Sequence, residues 1–371
     1  VPLDRPAFLS PTGAPWLVSY ELDPSRGRLL REELASRSWS LWRYRELLPL
    51  ADFDDRVDLG EGGTPLVAWT GGGHGGADPG AEGPHVLLKV EAGNPTGSFK
   101  DRGLSLAVNR ARELGAEGVE LASAGNAALA LAAYAAAAGL PCRVALPADT
   151  PATVSARCRA YGAEVVTSPG TLVEARACLG DDPRGYWDLS TLREPYRVEG
   201  KKTMGLEVVE QLGWELPEWI VYPTGGGTGI VGMHKAFDEL ERLGLVSGPR
   251  PRFVAVQMEG CAPIVRAFEA GWNEAPVWES PETRVWGLRV PKALGDFLVL
   301  AALRETDGRA LAVSEAAAEE VRVEAARRHG LLIGPEGAAA LSATHALIEE
   351  GAVRPGERVV VFQTGHPANY R

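Results

Sequence analysis

Lys100 lies in the stretch E-A-G-N-P-T-G-S-F-K-D-R-G, residues 91–103, an unusual setting for a structural lysine. The apolar run ending near Val90 reads as a strand, N-P-T-G as a turn, and a helix is expected from about Asp101. Lys100 therefore falls at a strand-to-helix junction, beside the positive end of a helix dipole, where cations are disfavoured. That end and Arg102 favour the neutral, nucleophilic amine over the ammonium, which normally titrates near about 10.4. An imine with an aldehyde cofactor would spread the charge into that cofactor. On spacing alone, a lysine snorkelling to solvent beside a helix-start carboxylate, Asp101, explains the stretch equally well.

Three further junctions of the same kind carry polar groups. In L-A-S-A-G-N-A-A (121–128), Ser123 and Asn126 can cap a helix, and the backbone N–H groups of that turn suit a carboxylate. In P-T-G-G-G-T-G-I-V-G (223–232), glycines let the backbone approach an anion, and a helix start supplies oriented donors. Phosphate is the natural guest. Gly227, Gly229 and Gly232 also spell G-x-G-x-x-G, with a strand ending at Glu259, so by itself the loop fits NAD as well as a smaller phosphorylated cofactor. In V-V-V-F-Q-T-G-H (359–366), Thr364 follows a strand's carboxyl end, where open α/β sheets bind ligands. Its hydroxyl can meet a ring nitrogen or merely cap a turn. Four junctions offering polar groups to one crevice weigh more than any one alone.

The elements that must position these residues alternate. Leu104, Ala107, Val108 and Ala111 recur at helical spacing, and that helix should end at Gly115. Val119–Ala122 reads as a strand, 127–138 as a helix stopped by Gly139, and Arg143–Leu146 as a strand. Thr150 and Pro151 are expected as N-cap and first residue of a helix, followed by a strand over Glu164–Thr167. Further on, strands are expected at Trp219–Tyr222, Phe253–Met258 and Val359–Gln363, with a helix over Ile230–Leu243. Such alternation means an α/β fold with a mainly parallel sheet covered on both faces. Thr70–Pro84, rich in Gly and Pro, reads as a mobile loop between two strands, most simply a dispensable insertion.

The 371-residue length suits about two domains, and 45% apolar with 23% charged residues is an ordinary globular composition. A net charge of −11 argues against nucleic acid or an anionic membrane as partner. It also requires any anionic ligand to find a locally positive pocket. The longest apolar run, Ala127–Leu140, is too short to span a bilayer. Cys142, Cys158, Cys178 and Cys261 form no C-x-x-C pair, so neither a disulfide framework nor a metal site is expected. With no signal-like apolar run at the start, a reducing cytoplasm is the expected location.

Taken together, G-S-F-K-D-R-G, S-A-G-N and T-G-G-G-T-G, in this order, resemble fold-type II pyridoxal-5′-phosphate (PLP) enzymes, and among these most closely threonine synthase. S-L-W-R-Y-R-E-L-L-P-L (40–50), L-G-E-G-G-T-P-L (59–66) and R-V-E-G-K-K-T (197–203) add to the likeness, which covers nearly all of the chain from Trp16 and decides against NAD. It implies two interleaved open-sheet α/β domains with the cofactor in the cleft, the smaller at 97–200 and the larger at 1–96 plus 201–371. It implies that Lys100 is the catalytic Schiff-base lysine and that Phe99 packs beneath the cofactor. Asn126 would meet the cofactor's 3′-oxygen, while Gly225, Gly226, Gly227 and Thr228 would hold its phosphate. Thr364 would face the pyridine nitrogen, its neutral hydroxyl leaving that ring largely unprotonated. Ser123, Ala124, Gly125, Asn126 and Ala127 would receive the substrate carboxylate.

The reaction implied is conversion of O-phospho-L-homoserine and water to L-threonine and phosphate, by a homodimer. Three segments depart from the family pattern: S-T-L-R-E-P-Y-R where N-x-N-P is usual, V-W-G-L-R-V-P-K-A-L-G-D-F (285–297), and the end T-G-H-P-A-N-Y-R in place of T-G-H-G-L-K. Arg193 and Lys202, with Arg197 and Lys201, can form a pocket for a substrate phosphate, or can simply pair with Glu194 and Glu199. A threonine or serine dehydratase, a β-replacement enzyme, and a PLP-binding paralogue without activity are the competing readings.

Overall fold

The computed structural model describes residues 2–70, 83–123, 125–169, 172–179 and 184–370. The strands are β1 (Leu66–Ala68), β2 (His85–Val90), β3 (Val119–Ala122), β4 (Cys142–Pro147), β5 (Glu164–Ser168), β6 (Trp187–Asp188), β7 (Trp219–Pro223), β8 (Arg252–Met258), β9 (Arg309–Val313) and β10 (Arg358–Gln363). They form two open sheets, one of order β1-β2-β10-β7-β8-β9 and one of order β5-β4-β3-β6. Every pairing is parallel except β1 with β2. This is the α/β architecture the sequence predicts.

The helices are α1 (Gly27–Ser36), α2 (Lys100–Glu113), α3 (Asn126–Ala138), α4 (Ala152–Ala160), α5 (Leu172–Ala177), α6 (Tyr196–Gln211), α7 (Thr228–Arg242), α8 (Pro263–Glu269), α9 (Asp296–Glu305), α10 (Glu315–His329) and α11 (Pro335–Glu349). Alternation along the central strands sorts the six-stranded sheet's two faces. Ile220, Tyr222, Val360 and Phe362 pack with residues of α6, α7 and α9. Val221, Val359 and Val361 pack with α10 and α11. In the four-stranded sheet, Val119, Leu121, Val144 and Leu146 share a core with α2, α3 and α4. Both faces of each sheet being covered explains why β7 and β10 read as unbroken apolar runs.

The two sheets' helical layers meet where α2 crosses α6. A Cβ on Gly200 would stand 2.0 Å from the Arg102 carbonyl oxygen, and one on Gly103 would stand 2.8 Å from that of Arg197. Beneath this crossing lies a buried ionic cluster. Arg102 donates Nε and Nη2 to Glu91 (2.6 and 2.8 Å) and Nη1 and Nη2 to Glu207 (both 2.8 Å). Lys89 of β2 donates to Glu207 at 2.8 Å. Flanked by two cations, Glu207 is held well below the usual carboxylate range despite its burial.

Most expected boundaries agree within two residues. β3 spans Val119–Ala122 as expected, and Gly139 closes α3 in the left-handed conformation, φ 67°. α2 begins at Lys100 itself, and α7 begins at Thr228 rather than Ile230. The cap at Thr150 is a correction: Pro151, with ψ 132°, takes the N-cap place, so α4 starts at Ala152. Among the described residues the Thr150 hydroxyl finds no partner. The Thr70–Pro84 loop expectation falls on residues 71–82, outside the described residues. No helix among those described is long and apolar enough to cross a membrane.

Gly200→Ala should drive the α2–α6 backbones apart and cost at least about 1–3 kcal/mol of stability, read from the urea midpoint. Gly93→Ala, whose new methyl would meet only Pro65 at 3.8 Å, is the control and should leave the midpoint nearly unchanged.

Candidate active site

Lys100 is the first residue of α2, held there by the turn before it. Phe99 N donates to the Thr364 carbonyl at 3.0 Å, His366 N donates to the Gly97 carbonyl at 2.7 Å, and Ser98 bridges Gly365. The turn is thus stitched to the end of β10, which brings Thr364 beside the Lys100 turn as expected. The Lys100 ammonium sits 4.0 Å from the centre of the Phe99 ring, so Phe99 packs under the lysine. Desolvation, then repulsion from Arg197, brings the Lys100 amine down to about 7, with Glu336 opposing. This is the poised amine the sequence suggested, although Arg197 rather than Arg102 supplies the repelling charge.

The glycine loop forms the wall beyond Phe99. Gly227 caps α7 with φ 72°, in the left-handed region, and a side chain there would collide with Val299. The first N–H groups of α7 have no intrahelical acceptor, an arrangement that suits an anion. A Cβ on Gly225 would meet the Gly287 carbonyl at 2.3 Å. At the loop's end, Lys201 of α6 donates to the Thr228 hydroxyl, and its ammonium lies 5.5 Å from the same Phe99 ring. Burial, with Arg197 and Lys100 nearby, holds the Lys201 amine well below its ordinary range.

α6 sorts three of the four basic candidates by helical phase, and Arg193 lies ahead of it. Arg197 and Lys201, four residues apart, share the face toward Lys100. Arg197 donates to the Leu189 carbonyl at 2.7 Å, while its buried Nε has no partner among the described residues. Burial pushes neighbouring Glu194 up to about 7, against the pull of Arg197. Lys202, one position on, is turned away: it pairs with Glu199 and Glu239, both at 2.7 Å, and lies over Tyr20. Arg193 pairs with Asp188 at 3.5 Å. The structure therefore does not bring Lys202 to Lys100, which corrects its expected substrate contact. Arg193 is half-exposed and pairs outside the α6 face that carries Arg197 and Lys201.

At the start of α3 the cap is Gly125, not Ser123 or Asn126. The Ser123 hydroxyl accepts from Gly125 N at 3.2 Å, Ala127 is buried in the first turn, and Ala124 lies outside the described residues. Asn126 is the helix's first residue, and its amide is engaged by the C-terminal turn through Asn369 and Tyr370. Three site residues escaped the sequence reading. Glu336, buried at the start of α11, accepts from Gly287 N at 3.1 Å and lies beside the Tyr370 hydroxyl; Asn369 and Tyr370 are the others. Their only signal was the altered ending P-A-N-Y.

A family model described as "Pyridoxal-phosphate dependent enzyme" matches residues 57–365. The chain is 33% identical over 352 residues to the threonine synthase of Methanocaldococcus jannaschii, covering 94% of this chain and 85% of that one. It is 34% identical over 331 residues to the threonine synthase of Mycobacterium tuberculosis, covering 87% and 86%. Among solved structures it resembles the T.th. threonine deaminase, 29% identical with a TM-score of 0.66 over 82% of this chain and 92% of that one. Maize serine racemase, at 19% identity and a TM-score of 0.68 over 94% of each chain, shares the fold.

In protein freed of pyridoxal phosphate, an amine-reactive reagent such as trinitrobenzenesulfonate, followed by peptide mapping, should modify Lys100 with an inflection near pH 7. Arg197→Met removes the repelling cation, so the inflection should move upward, toward the ordinary lysine range. An inflection near about 10 in the unaltered protein, the ordinary lysine value, or a downward move in the variant, would contradict this electrostatic account.

Proposed function

The chain belongs to the pyridoxal-phosphate dependent enzymes, and from that premise we propose that it is a threonine synthase, converting O-phospho-L-homoserine and water to L-threonine and phosphate. The cleft's residues fit the cofactor: an amine near neutrality faces an aldehyde's needs, and a glycine loop at a helix start suits a phosphate. The observation that carries the substrate reading is the cluster of buried basic side chains. Arg197 and Lys201 both face Lys100, and the whole-chain charge of −11 makes that concentration the more telling. One cofactor phosphate accounts for the loop and Lys201; a second, substrate phosphate accounts for Arg197.

In this reading Lys100 holds the cofactor, Gly225, Gly226, Gly227 and Thr228 with Lys201 bind its phosphate, and Asn126 meets its 3′-oxygen. Thr364 faces the ring nitrogen as a neutral group. When bound, the cofactor supplies a conjugated electron sink at the substrate's α-carbon. The start of α3, from Ser123 to Ala127, orients the substrate carboxylate with backbone N–H groups. Arg197 grips the substrate phosphate with its planar fork, an anchor that lasts until phosphate departs. Lys100 Nζ takes and returns protons, a task that an amine near 7 performs in both directions at neutral pH.

A threonine or serine dehydratase is the second reading, favoured by the 29% identity to the T.th. threonine deaminase. It needs the same lysine and loop but no second phosphate site. We also propose a homodimer, with 97–200 as the smaller unit, a division supported by the segregation of β3–β6 from the other strands. The four unpaired cysteines support a cytoplasmic location.

The test is phosphate release matched by threonine formation from O-phospho-L-homoserine. Lys100→Ala should lower that turnover by roughly 10²–10⁴-fold. Arg197→Met should cut kcat/KM for the phosphorylated substrate about 10–100-fold, the worth of a charge-assisted hydrogen bond. Threonine deamination without phosphate-substrate turnover, little affected by Arg197→Met, would instead support the dehydratase.

A further inference from the structure

The C-terminal turn Pro367–Tyr370 reaches back into the cleft and takes hold of Asn126 at both ends of its amide. Asn369 Nδ2 donates to Asn126 Oδ1 at 2.9 Å, and Asn126 Nδ2 donates to the Tyr370 hydroxyl at 2.8 Å. The orientation of Asn369 is itself fixed from two sides. Its Oδ1 accepts from Arg157 of α4 at 2.6 Å, and a guanidinium can only donate. Its Nδ2 donates to the Thr96 carbonyl at 3.0 Å, and a carbonyl can only accept. Asn369 must therefore offer a donor to Asn126, and Asn126 must answer with its oxygen. That leaves the Asn126 nitrogen, with two hydrogens, on the other side: one serves Tyr370 and the second is available to a ligand. The main chain leaves room for this arrangement. A Cβ on Gly97 would stand 3.1 Å from Asn369 Nδ2, and one on Gly365 would stand 2.5 Å from the Tyr370 hydroxyl.

We propose that Asn369 and Tyr370 are positioning residues that lock the Asn126 amide with its donor side toward the bound cofactor's 3′-oxygen. The inference rests on the Asn126 role assigned under the proposed function. Without the Asn369 donor, the Asn126 amide can turn over and present an oxygen to an oxygen. Without the Tyr370 hydroxyl, its nitrogen loses the acceptor that holds the amide plane. The C-terminal turn thereby joins α4, the Lys100 turn and α3 around one amide, and its altered sequence acquires a purpose.

The experiment compares Asn126→Ala, Asn369→Ala, Tyr370→Phe and the double variant Asn126→Ala/Asn369→Ala as full-length holoenzymes. The readouts are the cofactor dissociation constant, the visible absorption maximum and Tm, none of which requires a substrate. Asn369→Ala and Tyr370→Phe should each weaken cofactor binding roughly two- to tenfold, the worth of one hydrogen bond, and shift the absorption in the same sense as Asn126→Ala. In the Asn126→Ala background, Asn369→Ala should add nothing to the cofactor constant, because it acts through the missing amide. A full-sized Asn369→Ala effect in that background would mean a merely structural role and overturn the proposal. So would unchanged binding and absorption in Asn369→Ala and Tyr370→Phe when Asn126→Ala alters both. If Asn126→Ala itself changes nothing, the Asn126 assignment fails first and takes this inference with it. Should Asn369→Ala not fold, Tyr370→Phe, which keeps the ring, decides the matter against the same benchmark.

Discussion

The approach of α2 to α6 is the constraint on which the cleft depends. Gly200 and Gly103 let the two backbones meet at distances that no side chain allows, and Arg102 anchors the crossing through Glu91 and Glu207. Lys100 is two residues from Arg102, and Lys201 is next to Gly200. The same contact that joins the helices therefore sets the spacing between the reactive amine and the cations beside it. Burying such an ionic cluster yields little net stability, since desolvation offsets most of the attraction. Its value here lies in geometry: the Arg102 fork accepts one arrangement of two carboxylates, and that arrangement fixes how α2 sits on α6 and β2.

The electrostatics of the cleft are local and opposed to those of the chain. An excess of eleven negative charges surrounds a buried region where Lys100, Arg197 and Lys201 converge. Water screens the distant acids, whereas the buried cations act on one another at short range through a poorer dielectric. The acids beside these residues, Glu194 and Glu336, both have their carboxyls pushed up by burial.

Much of the fold was legible because its signals are local. β3 fell on its expected residues since Val119 and Leu121 alternate with Glu120 between turn residues. Gly139 was readable as the stop of α3 because only a left-handed residue fits there. β6 is only two residues long and carries too little pattern to read. β9 shows a weak alternation, with burial that varies from residue to residue. Pro151 misled because its ring fixes φ but leaves ψ to the tertiary context, which chose an extended value.

The sequence by itself determined the chemistry available: an amine at a helix start, a glycine loop before another helix, and a strand followed by Thr364. Each is a local motif whose conformation and hydrogen-bonding capacity follow from a few adjacent residues. Only the tertiary structure decided which basic residues serve the cleft, because the phase of α6 separates Arg197 and Lys201 from Lys202, and phase depends on where the helix is anchored. It alone brought Asn369 to Asn126, a partner 243 positions away along the chain. No local pattern encodes such a meeting, since it arises when the last turn folds back across both sheets' layers and its polar groups find the donors and acceptors left there.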